Sequence, residues 1–304
     1  MSKASKREAR KQYLTEFLCE FDYADGAKAA LLEAFDRVFA SEEDERLFEE
    51  IRIRFEGDPD EKYPYLIERA DALAEKHSVN AYTVYLLVLI LLSESSKTIY
   101  AKRGLSLEMW RSNMFDLKYR CDNLILVKGV YGTDCPEWYR RFFAATRFTF
   151  GKLQFETGLL GKDCEVAGRE LKADDTAVFI HIPRSGDRLT PESVDAATRE
   201  AAAFYEKRCG IRDPIFACHS WILYPENKTI LSETSNLYSF ISRFDIVDVE
   251  EDTSYKELWR LFDKEYTGNA DDLPQDTSLR RAYAKRVKEH KPLGVALGVW
   301  VYRP

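Results

Sequence analysis

The spacing of apolar residues changes partway along the chain. Of all the features of the sequence, this change places the strongest constraint on the fold. Over about the first 120 residues, apolar side chains recur every three or four positions, which is the period of an amphipathic helix. Beyond residue 147, short apolar runs alternate with helical stretches and glycine turns. The sequence therefore predicts an α+β fold, with an all-helical N-terminal domain at 1–135 and a mixed α/β domain around a central twisted sheet at 136–304.

Composition excludes several classes of protein. The 304 residues are 45% hydrophobic and 13% aromatic, which is typical of a globular chain and not of a disordered one. Acidic residues (52) outnumber basic ones (45), so the net charge is −7 and no broad basic field is available for nucleic acid. The longest apolar run, 84–92, is shorter than the ~20 residues of a spanning helix, so no membrane span is expected.

Cysteine and histidine are too scattered to indicate a metal site. The six cysteines include no C-x-x-C pair, and the chain has only four histidines. We therefore expect no metal cofactor, and we expect free thiols in a reducing cytoplasm. Cys218 and His219 are adjacent in a predicted strand, so their side chains point to opposite faces and a Cys–His nucleophile is disfavoured.

A candidate anion site follows the apolar run 177–183. This run predicts a buried strand, and Thr190-Pro191 predicts the start of a helix, since threonine suits the N-cap and proline the first helical position. Unpaired amides at a helix N-terminus attract anions. The residues between strand and helix that could bind a phosphate or pyrophosphate are Arg184, Ser185, Gly186, Arg188 and Thr190. The alternative is an ordinary strand-to-helix turn with two solvated arginines.

Five segments of the chain resemble a known family in the same order and together extend over essentially its whole length. They are residues 151–156 (GKLQFE), 181–183 (HIP), 218–221 (CHSW), 235–240 (SNLYSF) and 275–279 (QDTSL). They are similar to the bacterial acyltransferase domain-containing proteins, which combine a helical N-terminal domain with a GNAT-like acyltransferase domain. The resemblance implies acyl-CoA, or CoA, as the cosubstrate.

The resemblance also implies roles for particular residues. Ile182 lies on the strand edge that binds pantetheine, and the 184–190 loop holds the pyrophosphate. The family loop is [Q/R]-x-x-G-x-[G/A]; here the first glycine, Gly186, comes one residue early, and Arg188 replaces the second small residue. Asn236 and Tyr238 correspond to a helix whose tyrosine protonates the leaving thiolate, although they are closer together than in the usual pattern.

Acyl transfer to an amine needs a base, for which the sequence offers two candidates. Glu156 ends a predicted strand and becomes a base if burial raises its pKa, whereas the imidazole of His181 titrates near neutrality by nature. Each residue also has a purely structural alternative: Glu156 as a carboxylate in an ion pair, and His181 as a hydrogen-bonded histidine of the core. Catalytic candidates are therefore Glu156, His181 and Tyr238.

Three functions remain open at this point. The first is CoA-dependent transfer of an acyl group to a small-molecule amine or other nucleophile by direct attack. The second is a catalytically inactive GNAT-fold module that binds a ligand. The third is a thiol-dependent hydrolase that uses Cys218.

Overall fold

The computed structural model describes residues 3–58 and 63–303. It divides into two units, Met1–Phe148 and Thr149–Pro304. The division falls inside the first strand of the chain, β1 (Arg147–Phe150), whereas the boundary predicted from the sequence, at 135/136, lies earlier. The expected order of an all-helical unit followed by a mixed sheet unit is confirmed.

The first unit is built from helices. Its elements are α1 (Lys3–Glu20), α2 (Asp25–Val38), α3 (Glu42–Gly57), α4 (Tyr63–His77), α5 (Ala81–Lys102), α6 (Leu107–Lys128), a 3-10 helix (Pro136–Tyr139) and α7 (Arg140–Phe143). Three helices begin at side-chain caps, where Ser41, Asn80 and Ser106 each accept a hydrogen bond from a backbone amide of the first turn. Local sequence therefore fixes where these helices start.

Helix α5 forms the core of this unit. All of its residues from Val84 to Leu92 are buried, as expected for a helix that is apolar on every side. Its length and composition would also allow it to cross a membrane, but 67% of its most apolar stretch is buried inside the protein. This burial is typical of a central core helix.

Helix α6 is longer than the sequence pattern indicated. The apolar spacing from Ser106 predicts a helix that ends near Tyr119, with the change of pattern at 124–127, yet α6 continues to Lys128. It ends where Gly129 adopts a left-handed conformation with φ of 70°, which glycine adopts at little cost.

The second unit is organised around a mixed sheet. Its strands are β2 (Leu153–Leu159), β3 (Cys164–Val166), β4 (Arg169–Leu171), β5 (Thr176–His181), β6 (Ile215–Ser220), β7 (Asp245–Asp252) and β8 (Leu293–Val301). Its helices are α8 (Pro191–Cys209), α9 (Asn227–Ile230), α10 (Asn236–Ile241), α11 (Trp259–Phe262) and α12 (Ser278–Lys288). The central sheet has the order β1-β2-β5-β6-β8-β7, and β3 and β4 form a separate hairpin.

Two predicted strands were too long. The sequence pattern predicts one strand over 147–157 with a bulge at Gly151, but these residues form β1 and β2, which are separated by a turn at Gly151 with φ of 53°. The apolar run also predicts a strand over 215–223, but the strand stops at Ser220, whose hydroxyl caps the 3-10 helix Trp221–Leu223. The β3–β4 hairpin was not predicted at all, since its strands have only three residues each.

The two faces of the sheet have different coverings. Helix α8 lies on the face that carries Phe155, where the hydroxyl of Tyr205 donates to the Phe155 carbonyl at 2.9 Å. On the other face the β3–β4 hairpin contributes Val166 and Leu171 to a buried cluster with Ala177 and Ala217. We call these the helix face and the hairpin face.

Candidate active site

The site centres on the place where strands β5 and β6 separate. These two neighbouring strands run parallel, and they pair only at Val178–Phe216 and Phe179–Ala217. Beyond those pairs β5 continues to His181 and β6 to Ser220 without pairing to each other within the described residues. Between these residues the ladder of hydrogen bonds that would join the two strands is interrupted, which leaves a gap between their ends. We call the gap between residues 180–181 and 218–220 the notch.

Glu156 and His181, which the sequence offered as alternative bases, lie together at the edge of the notch. Strands β2 and β5 pair with Gln154 opposite His181 and Glu156 opposite Phe179, so all four side chains share the hairpin face. Nε2 of His181 is 2.8 Å from Oε1 of Glu156. The Glu156 side chain is 11% exposed and that of His181 is 24% exposed, so their hydrogen bond is largely shielded from water. A carboxylate in this position fixes the orientation of the imidazole.

A second histidine lies across the notch from this pair. Because Phe179 pairs with Ala217, His219 lies on the hairpin face, the same face as His181. Its Nε2 is 3.8 Å from Oε1 of Glu250 on β7, and its side chain is 49% exposed. In the sequence, His219 stands out only as the neighbour of Cys218. The alternation of side chains along β5 and β6 would place His219 and His181 on the same face, but only once the parallel register of the two strands is known.

The 184–190 loop leads from the notch to the N-terminus of α8. Thr190 caps α8 by accepting from the amide of Ser193, and Pro191 is the first helical residue, both as predicted. Gly186 has φ of 80°, and a β-carbon added to it would have no atom within 4 Å. The loop also carries an acid, Asp187, which accepts from Ser185 at 3.2 Å. Its backbone is therefore open to a ligand at Gly186.

The two arginines of this loop have different surroundings. Arg184 forms an ion pair with Asp263, which follows α11, and Asp263 also pairs with Arg280 at 2.5 Å. Burial and the nearby charge of Arg280 lower the pKa of Arg184. Arg188 is exposed, and no described residue forms an ion pair with it. Arg188 is thus the loop arginine whose charge remains available to an anion.

Asn236 and Tyr238 lie on α10, as predicted. Ser235 caps this helix by accepting from the amide of Tyr238, and both candidate side chains are half-buried. Helix α10 packs against α8, and Arg243, just after α10, forms an ion pair of 2.5 Å with Asp195 on α8. Tyr238 is therefore on the helix-face side of the sheet, whereas Glu156 and His181 are on the hairpin face.

Cys218 is not arranged as a nucleophile. It is buried, and burial raises the pKa of its thiol to about 12, so almost none is thiolate at neutral pH. His219 lies on the opposite face of β6, so the adjacent imidazole cannot deprotonate it. Within residues 3–58 and 63–303, no group of three or more His, Cys, Asp or Glu side chains is placed to hold a metal ion.

Comparisons with known proteins agree with this architecture. A family described as an N-acyltransferase N-terminal domain matches residues 12–145, and one described as a GNAT-like C-terminal domain matches residues 148–300. A search of curated proteins found no match.

Two similar solved structures are described as acyltransferases. One is in complex with decanoyl-CoA and teicoplanin, with 18% identity, a TM-score of 0.70, and coverage of 94% of this chain and 86% of the other. The second is in complex with CoA and 10C-teicoplanin, with 18% identity, a TM-score of 0.72, and coverage of 95% and 87%. At this identity the similarity is one of fold.

Proposed function

Because the chain belongs to the family of the GNAT-like C-terminal domain and also matches an N-acyltransferase N-terminal domain, we propose that it transfers an acyl group from acyl-CoA to a small-molecule amine or other nucleophile. The observation that carries this proposal is the notch between β5 and β6, with the hydrogen-bonded Glu156–His181 pair at its edge. The similar solved structures hold CoA, octanoyl-CoA or decanoyl-CoA, which supports CoA as the cosubstrate.

In this proposal the cosubstrate extends from the notch along the 184–190 loop to the N-terminus of α8. The pantetheine arm lies in the notch, between the ends of β5 and β6 and next to the segment that ends at Ile182. The pyrophosphate lies at the N-terminus of α8, where helix amides, the Gly186 backbone and Arg188 favour an anion. Arg184 holds the loop to Asp263 and supports the site indirectly.

The reaction is direct attack on the thioester. The nitrogen lone pair of the acceptor attacks the carbonyl carbon, and the Glu156–His181 pair accepts the N–H proton. Backbone amides in the notch polarise the carbonyl oxygen as charge develops on it. The C–S bond then breaks, its electrons leave on the CoA sulfur, and the products are an amide and CoA.

Tyr238 is the proposed source of the proton that neutralises the departing thiolate, and water then restores the proton to Tyr238. Its position on α10 supports this role, because α10 and the base lie on opposite faces of the sheet. Under the proposal, a thioester held in the notch is reached by the base from one face and by Tyr238 from the other. Asn236, at the start of the same helix, is proposed to contact the cosubstrate. All six cysteines are free thiols, in keeping with the cytoplasm as the proposed location.

The experiment combines ligand binding with turnover. CoA, octanoyl-CoA and decanoyl-CoA are titrated while the melting temperature is followed, and thiol release is measured with a panel of amines. We expect CoA to raise the melting temperature and an amine to accelerate thiol release. CoA binding without thiol release from any amine would favour the inactive ligand-binding module. Unchanged melting with every CoA species contradicts the proposal.

A further inference from the structure

A cavity of about 150 Å³ lies in the second unit next to the notch, and none of the functions assigned above uses it. Its apolar walls come from aromatic and aliphatic side chains: Trp221, Tyr255, Leu258, Leu261, Tyr283, Leu293 and Val295. A cavity of this volume accommodates a single six-membered ring or a short alkyl chain.

Three connections place the cavity beside the notch. Trp221 directly follows Ser220, the last residue of β6. Leu261 lies on α11, which is joined to the loop after β5 through the ion pair between Asp263 and Arg184. Glu250, on the cavity rim, faces His219 at 3.8 Å. A molecule in the cavity is therefore adjacent to the ends of both strands that form the notch.

The rim of the cavity is acidic. Glu250, Glu251, Asp252 and Glu257 line it, and no Lys, Arg or His does so. Few positive groups offset these acids: Arg260 pairs with Glu257, His219 faces Glu250, and Lys256 lies near Asp252. Arg286, near Tyr255, is itself paired with Glu226. The carboxylate of Asp252 accepts from the neutral hydroxyl of Ser254, whereas that of Glu251 lies on the opposite face of β7 from Glu250 and accepts from the hydroxyl of Tyr224. The rim therefore keeps a net negative charge that favours a cationic ligand.

The aromatic walls offer ring surfaces to such a ligand. The hydroxyl of Tyr255 donates to the carbonyl of Lys291 at 3.1 Å, and that of Tyr283 donates to Oδ1 of Asn227 at 2.6 Å. Trp221 meets Tyr283 edge-on, with ring centroids 6.1 Å apart. Because the tyrosine hydroxyls are already bonded within the protein, their rings and the indole of Trp221 are what a ligand meets, and aromatic faces attract cations.

We infer that this cavity is a binding site for an ammonium group on an apolar body of about one ring, and that it anchors the acceptor of the acyl transfer. The second part rests on the proposed function. Carboxylates stabilise the protonated form of an ammonium group, and a protonated nitrogen has no lone pair with which to attack. The acceptor therefore carries a second group, distinct from the anchored ammonium, that attacks the thioester in the notch.

The test uses two probes of equal shape, benzylamine and benzyl alcohol, titrated calorimetrically into the full-length protein at pH 7 without CoA. We expect benzylamine to bind more tightly than the alcohol. Glu250→Gln should weaken benzylamine binding about fivefold, as expected for loss of one partly exposed charge pair. Trp221→Leu keeps an apolar wall but removes the cation–π contact, and should also weaken it about fivefold. The matched control is Glu170→Gln, which removes one charge from the β3–β4 hairpin and should leave affinity unchanged.

The outcomes separate this inference from the proposed function. Equal affinity for the two probes, or a Glu250→Gln protein that binds benzylamine like wild type, overturns the cation site. If CoA raises the melting temperature but benzylamine does not bind, the cation site is wrong and the CoA site stands. If benzylamine binds as expected but no CoA species does, the cation site stands and the proposed function is wrong.

Discussion

The Glu156–His181 pair allows a quantitative test of the proposed mechanism. Glu156→Gln keeps the shape of the side chain and its ability to accept a hydrogen bond, but it removes the negative charge. His181→Asn removes the imidazole. Loss of a general base typically lowers the rate of the chemical step by ~10²–10⁴. We expect a loss of this size in kcat/KM for each single variant, with CoA affinity nearly unchanged.

The structure also predicts how the two losses combine. The two side chains are joined at 2.8 Å in a largely shielded place, and a hydrogen bond to a charged group contributes ~1.5–3 kcal/mol. Since 1.36 kcal/mol corresponds to a tenfold change in rate, a coupling energy of this size corresponds to a factor of about 10–160 in rate. The double variant should therefore lose less activity than the product of the single losses, by about that factor.

The assay is thiol release under initial-rate conditions, for wild type, both single variants, the double variant and Glu170→Gln as the control. Melting temperature and CoA affinity are measured on the same samples to exclude misfolding. Single losses that simply multiply in the double variant would refute the argument that the two groups act as a unit. Full activity in both single variants would remove them from the chemistry.

Three further predictions concern other parts of the chain. Arg188→Glu should weaken CoA binding by ~1.5–3 kcal/mol or more in calorimetry, because one charge-assisted contact is lost and a repulsion is gained; unchanged affinity excludes Arg188 from the pyrophosphate site. Burial raises the pKa of Asp44, but hydrogen bonds from a serine and a lysine and the charge of a histidine outweigh it, so the pKa is lowered overall. Asp44→Asn should therefore lower the free energy of unfolding by ~2–3 kcal/mol at pH 7, and in urea titrations the difference from wild type should shrink as the pH falls below about 4. Iodoacetamide should modify the exposed Cys19 and Cys209 but not Cys218 in the native protein, with activity retained; inactivation that follows Cys218 modification in peptide maps would support a thiol mechanism.

Features set by neighbouring residues were predicted well from the sequence. Thr190-Pro191 starts α8 as expected, because the cap and the first turn are local. The two-residue period of a strand puts His181 and Phe179 on one face whatever the strand pairs with, and the observed register agrees. The ends of elements were predicted less well where a single glycine sets them. Gly151 divides a predicted strand into β1 and β2, and Gly129 ends α6 later than expected.

Features set by distant residues could not be predicted in the same way. Glu156 and His181 were treated as rivals because the antiparallel register that joins them is not contained in either segment. Arg184 and Arg188 looked equivalent, and only the position of Asp263 distinguishes them. The acidic cavity draws its residues from β7, α11, α12 and β8, so no single segment shows it.

The early end of pairing between β5 and β6 has a consequence for the order of events during turnover. Under the proposed function, the cosubstrate enters from the helix-face side and the acceptor from the hairpin-face side, so neither blocks the path of the other. Both substrates are then present together when the acyl group moves, and no acyl-enzyme is formed. Double-reciprocal plots should intersect and not run parallel. Free CoA should compete with acyl-CoA but not with the acceptor.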